Sequence, residues 1–186
     1  MPALNYPWSF ARFTRIQPTD DPITALIRMQ REIDDFMTKL EDGLNARMFS
    51  VGMSLSVNQS INSASYTKIL FDRSLYETHS GFISLSGGDI VAPIAGVYRI
   101  EAHGWFASNA TGGRSLEFYK NGSAFVPAVV DQVGTAAAGV EDSLFPQDTR
   151  SLGIGDRISA VAWQNSGGPL NFLATNASLT LTLVAT

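Results

Sequence analysis

Between residues 20 and 44 apolar side chains return every three or four positions, at Ile23, Leu26, Ile33, Met37, Leu40 and Leu44, with Gln30 taking one place in the series. A period near 3.6 predicts a helix. Asp20 or Asp21 can cap its free amides, Pro22 suits its first position and Gly43 suits its exit. The spacing matches the a and d sites of three heptads, a narrow seam that suits partner helices, and one polar residue at such a site can set register and strand number. Ile27, Met29 and Phe36 would instead widen the seam into the stripe of a helix lying on its own domain.

After Gly52 the period falls to two. Ser54 to Val57 alternates, and so does Ala177 to Leu183, where three leucines face one side and Ser or Thr the other. Between these lie candidate strands at 67–72, 81–85, 97–107, 115–120, 124–130 and 157–164, punctuated by Gly87-Gly88, Gly112-Gly113, Asn121-Gly122, Gly153-Ile-Gly155 and Gly167-Gly168-Pro169. Many short strands with Gly and Asn turns and no intervening helical pattern mean an antiparallel sandwich or barrel. The expected layout is an arm at 1–19, a helical stalk at 20–50 and a β head at 51–186.

The arm mixes Tyr6, Trp8, Phe10 and Phe13 with Arg12 in no regular period. Aromatic and Arg side chains dominate interface hot spots, so one reading is an anchor entering pockets on another protein. The other is an arm packed on its own domain or left unfolded.

Composition narrows the classes. The 186 residues carry 13 Lys or Arg and 17 Asp or Glu, a net charge of −4, and 13 of those 30 charges fall in the first 50 residues. No Lys/Arg-rich run supplies the positive footprint that nucleic-acid binding needs. Without cysteine there is no disulfide framework, thiolate zinc site or cysteine nucleophile. The first 20 residues lack the pattern of a secretory signal, and no run approaches ~18 apolar residues, so the expectation is synthesis in the cytoplasm and no membrane insertion.

Chemistry-bearing groups are sparse. His79 and His103 have no metal-ligand spacing, no G-x-S-x-G occurs, and Gly153-Ile-Gly155-Asp156 lacks the third glycine and helix of a nucleotide loop. Asp34-Asp35 belongs to the helix, and Glu141-Asp142 is expected in a flexible loop. Neither pair suggests two carboxyls converging on a cleft. The expectation is no enzyme, no cofactor and no metal.

The segment Ile90-Val-Ala-Pro93-Ile-Ala-Gly96-Val-Tyr98-Arg-Ile100 resembles the hallmark of the complement one-q and tumour-necrosis-factor family of trimeric jelly rolls, with Gly96 and Tyr98 matching directly. Ile90, Ile100 and Ala102 stand where that family prefers aromatics. Leu70-Phe71-Asp72, Gly81-Phe82, Leu116 to Gly122, Leu152 to Val161 and the strand Leu179 to Val184 follow in the family's order. The resemblance covers about residues 66–186. It implies a trimeric jelly-roll head, mainly β, and with the heptad spacing at 20–44 the expectation is an N-terminal helix forming a short trimeric coiled coil. It also implies that calcium could be held near the apex by Asp89, Asp131, Asp142 or Asp156, although no loop has dense ligand spacing.

Gly96 is expected to turn the backbone tightly into a strand. Alternation then places Tyr98, Ile100 and Phe106, with Leu179, Leu181 and Leu183, in the core. Arg99, Glu101, His103 and Trp105 fall on the other face. An outward Trp105 beside His103 suggests burial against a neighbouring subunit, or else cover by a loop of the same chain.

Arm, heptad helix and trimeric-type jelly roll together resemble the short fibres, spikes and decoration proteins of tailed bacteriophages. That implies a homotrimeric virion protein docking on capsid or tail proteins and presenting its head to a host-surface glycan or protein. Alternatives are a capsid cement protein that touches only its neighbours, a bacterial binding module of the same fold and, with little acid/base machinery to support it, a polysaccharide-cleaving spike. The loops at 109–114, 132–142 and 164–169, rich in small and polar residues, are the expected contact surface or plain turns.

Overall fold

The computed structural model describes residues 21–47, 49–78, 81–126, 128, 130–134 and 139–186, and the side chains within them outside 40–47. The arm residues Tyr6, Trp8, Phe10, Arg12 and Phe13, the side chains of Leu40 and Leu44, and His79 lie outside these. The chain divides into two units, one ending at Asn45 and the other spanning Ala46–Thr186.

The first unit holds α1 (Pro22–Arg47) up to Asn45, and the last two helical residues fall in the second. Asp21 caps it: its Oδ2 accepts from the Thr24 amide at 3.1 Å and the Thr24 hydroxyl at 3.2 Å, filling one of the amide valences a helix start leaves open. The exit expected at Gly43 does not occur, and α1 continues to Arg47. A single glycine costs a helix only about 1 kcal/mol relative to alanine and cannot end it without a terminating bond pattern. Ile23, Leu26, Ile33 and Met37 are 44–68% exposed, and so are Ile27, Met29 and Phe36 at 42–50%. Gln30 turns its Nε2 along the helix to Asp34 Oδ1 at 2.9 Å.

The second unit is a two-sheet antiparallel jelly roll. Its strands are β1 (Ser50–Ser54), β2 (Gln59–Ile61), β3 (Thr67–Lys68), β4 (Arg73–Glu77), β5 (Ile83–Ser84), β6 (Asp89–Val91), β7 (Gly96–Phe106), β8 (Arg114–Lys120), β9 (Ser123–Ala124), β10 (Val130–Val133), β11 (Asp142–Leu144), β12 (Gln147–Leu152), β13 (Arg157–Gln164) and β14 (Leu170–Ala185). One sheet runs β4-β1-β14-β7, with β11 and β12 sharing the far edge of β7 and β2 pairing the start of β14. The other runs β10-β8-β13-β6-β5, with β3 beside β13 and β9 beside β8. The chain alternates between sheets, so no sheet is made of consecutive strands alone.

The core lies between the sheets. Tyr98, Ile100 and Phe106 of β7 and Leu179 and Leu181 of β14 are fully buried, and Leu183 is 5% exposed. They meet Leu116 and Phe118 of β8 and Ile158, Ala160 and Ala162 of β13. Phe106 and Phe172 contact edge to face at 5.3 Å, the arrangement ring quadrupoles favour. Tyr98 keeps its one polar atom satisfied by donating to the Ile94 carbonyl at 2.8 Å.

Several expectations are corrected. Gly96 makes no left-handed turn. A Cβ there would stand 2.6 Å from Leu183 Cδ1 and 2.7 Å from the Ala185 carbonyl oxygen, so glycine is required by close packing of β7 on β14. The strand expected at 67–72 is only Thr67–Lys68, because the chain then crosses between sheets. The Ile69 amide bonds Ala160 in one sheet and the Asp72 amide bonds Ser54 in the other, while Ile69 and Phe71 fill the core between. The stretch expected at 124–130 divides between β9 and β10, with Pro127, which has no amide hydrogen, in between. Asn121 and Gly122, both at positive φ (53° and 82°), make the expected two-residue turn from β8 to β9.

Candidate functional site

The outward face of the β4-to-β7 sheet collects the side chains that alternation sends away from the core. Trp105 Nε1 donates to His103 Nε2 at 2.9 Å, which ties the indole and imidazole rings together on this face. Phe145, between β11 and β12, stands edge-on to His103 at 5.0 Å and is itself 48% exposed. Leu173 is the cross-strand partner of Trp105. The chain's own loop thus covers part of this aromatic group and leaves the rest half-buried. Arg99 Nε meets Glu101 at 3.3 Å, and towards the other edge the Tyr76 ring lies over Gly52, where a Cβ would be 2.6 Å away. Ser50 and Thr182 share a hydroxyl hydrogen bond of 2.9 Å. Of these side chains, the aromatic ones are the type enriched in the cores of protein–protein interfaces.

The outward face of the other sheet carries a cleft of about 510 Å³. Ser159 and Val161 of β13 form its floor, and Tyr66 and Tyr119 border it. Asp89, its side chain 9% exposed, is held by Arg157 Nη2 at 2.9 Å and Nε at 3.2 Å and by Lys68 Nζ. Tyr66 is 61% exposed, yet its ring is backed by Trp163 at 6.2 Å, tilted by 33°. Glu117 lies on this face beside Tyr119, and burial pushes its carboxyl above the ordinary range. Tyr119 is raised first by burial, then by Glu117 and Tyr66.

The loops expected as contact surface are tied down at their ends. Arg114 is fully buried, donating Nη1 to the carbonyls of Thr111 and Gly112 and Nη2 to that of Asn109 at 2.6 Å. Its Nε stands 2.9 Å from Asp142 Oδ2, an ion contact without hydrogen-bond alignment. Asp142 is therefore not in a flexible loop but on β11 and 8% exposed, and burial raises its carboxyl despite the opposing guanidinium. Gln164, also fully buried, donates to the Ile61 carbonyl at 2.9 Å and the Gly168 carbonyl at 2.8 Å. Alternation could have flagged Arg114, which shares a strand face with Leu116 and Phe118. The pairing with Asp142, 28 residues later, leaves no trace in spacing.

The acidic residues considered for calcium stand apart. Asp89 and Asp142 are paired as described, Asp131 Oδ2 accepts from the Phe145 amide at 2.5 Å, and Asp156 accepts from the Gly153 amide and Asn121 Nδ2, both at 2.8 Å. Burial alone would raise Asp156, but those bonds and Lys120 hold it below the ordinary carboxylate range. Among the described residues no group of three or more His, Cys, Asp or Glu is placed to hold a metal ion. Among them too, no helix is long and apolar enough to cross a membrane.

No family model and no curated protein sequence matches the chain. Solved structures do. The globular domain of zebrafish complement 1qA aligns with a TM-score of 0.52 at 14% identity, covering 73% of this chain and 97% of that one. The fold is the tumour-necrosis-factor and complement one-q jelly roll. Eiger TNF from S. frugiperda aligns at 0.53 with 12% identity, covering 74% and 92%, and murine APRIL at pH 5.0 at 0.55 with 10% identity, covering 73% and 98%. At these identities the jelly-roll likeness concerns architecture, and function has to be argued from the surfaces.

Proposed function

We propose that the chain is a non-enzymatic homotrimeric binding module, serving as a fibre or decoration protein of a bacteriophage particle. The arm at 1–19 docks on capsid or tail proteins, α1 gathers three chains, and the jelly-roll heads face a host-surface glycan or protein. The observation that carries the assembly reading is the apolar side of α1: Ile23, Leu26, Ile27, Met29, Ile33, Phe36 and Met37 are all 42–68% exposed. A helix gains stability by covering such a side, and partner helices supply the cover in a coiled coil. Two further points support it. The resembled family of jelly rolls is trimeric, and the Trp105, His103 and Phe145 face presents a second aromatic surface suited to a neighbouring head.

Valency supplies the mechanism. At about 1.5 Å per residue, the 26 residues of α1 make a stalk of about 39 Å. Three linked heads can strengthen a weak contact by about 10² to 10⁴ through effective concentration.

Native mass of the full-length protein tests the assembly. Three times the chain mass is expected, and a monomer at micromolar concentration would overturn the reading. Purified particles from the producing host should contain the chain in constant proportion to coat protein, and its absence would remove the virion assignment. Attachment of the full-length protein to susceptible cells separates a receptor-binding head from cement, which would bind particles only.

A further inference from the structure

The cleft on the outward face of the β10-to-β5 sheet combines an aromatic wall with a charged group held in place. Tyr66 offers a flat, largely exposed ring with Trp163 beside it, and Tyr119, across β13, borders the opposite side. Lys68 and Arg157 share the single carboxylate of Asp89, so this triad carries a net positive charge at the rim, and the carboxyl that opposes it on this face, Glu117, lies beside Tyr119 outside the cleft lining. Asp89 is buried, and its Oδ2 holds the Arg157 guanidinium through both Nε and Nη2 before any ligand arrives.

From this geometry we infer that the cleft binds one unit of an acidic saccharide. A sugar ring lays its C–H face on an aromatic ring, its hydroxyls bond charged groups, and a carboxylate or phosphate on the ring answers the surplus cation. At about 510 Å³ the cleft falls in the size range of small-molecule sites. The inference rests on the binding-head reading and names the class of ligand that the head takes. Neither His103 nor Trp105 contributes to it.

The test titrates the full-length protein with tetragalacturonate, sialyllactose and a mannose-6-phosphate disaccharide, with maltotetraose as the neutral control and inorganic phosphate as the free anion, following tryptophan fluorescence and calorimetric heat. At least one acidic saccharide should bind more tightly than maltotetraose. Tyr66→Ala and Arg157→Gln should each weaken it about tenfold or more, while Tyr66→Phe retains it. Tyr66→Ala removes an exposed ring, so circular dichroism should show an intact fold.

Equal binding of maltotetraose, full reproduction of the signal by phosphate, unchanged affinity in Tyr66→Ala, or no response to any acidic saccharide would each overturn the inference. Trimeric mass with no saccharide response would discard only the ligand class. Monomeric mass with cleft binding intact would discard only the assembly.

Discussion

Single residues carry constraints that their type alone does not announce. Gly104 faces the core, and a Cβ there would stand 2.0 Å from Phe172 Cζ, a ring already fixed against Phe106. Gly104→Ala should therefore lower stability by about 1–3 kcal/mol in urea unfolding at fixed protomer concentration, and Phe172→Leu in the same chain should recover part of the loss. Arg114 is more severe. Arg114→Met strands the buried Asp142 carboxylate and leaves three carbonyls without their donor, an expected loss of about 3–5 kcal/mol, whereas Arg114→Met with Asp142→Leu should lose less. Asp156 sets a pH dependence. Its carboxyl titrates below the ordinary 3.8, so its contribution is present above that pH and is lost as pH falls through the lower folded value. Unfolding midpoints measured between about pH 5 and pH 2.5 should drop less steeply for Asp156→Asn than for the natural chain.

At the scale of elements, cross-strand pairing and local hydrogen bonds rather than periodicity decided where β4 and β14 fall. β4 holds Leu75 and Tyr76, both exposed, and shows no inward-outward alternation to find, yet it pairs β1 because Asp72 fastens the crossing by accepting from the Ser56 amide at 2.8 Å and its hydroxyl. β14 is longer than its leucine pattern: it starts at Leu170, slips register between Leu173 and Ser178, and places Asn176 at φ 62°. Asn tolerates that conformation, so the slip has a local cause that alternation cannot show. For α1 the seam and the wider stripe predict different outcomes: a helix covered by its own domain keeps its native mass when the apolar side is broken, whereas a seam covered by partner helices does not. Ile33→Asp puts a charge in the middle of the apolar side, and native mass should shift from trimer towards monomer, while Lys39→Ala on the polar side should leave mass unchanged.

On the scale of the molecule, the two outward sheet faces differ in kind. One carries His103, Trp105 and Phe145 with short hydroxyl residues and suits a protein neighbour. The other carries a cleft with a fixed charged triad and suits a small polar ligand. Trp105→Asp should weaken assembly, read as a higher concentration for half-dissociation in analytical centrifugation, and leave saccharide affinity per head unchanged. If that substitution abolished cleft binding while mass stayed trimeric, the two faces would not be independent.

What the chain determined by itself is periodic and local: the helix from its 3.6 repeat and a cap at Asp20 or Asp21, an antiparallel sandwich or barrel from alternation and turns, with the jelly roll implied by the resemblance around Gly96 and Tyr98, the core from Tyr98, Ile100, Phe106 and the three leucines, and the Asn121-Gly122 turn. These follow from backbone geometry acting over a few residues. Tertiary structure alone decided the rest. The Arg114–Asp142 contact, the Gln59 amide bridging Lys68 and Leu70, and the meeting of Lys68, Asp89 and Arg157 join residues from distant strands. Their partners come together only when chain crossings stack the sheets, and no period along the sequence encodes that register.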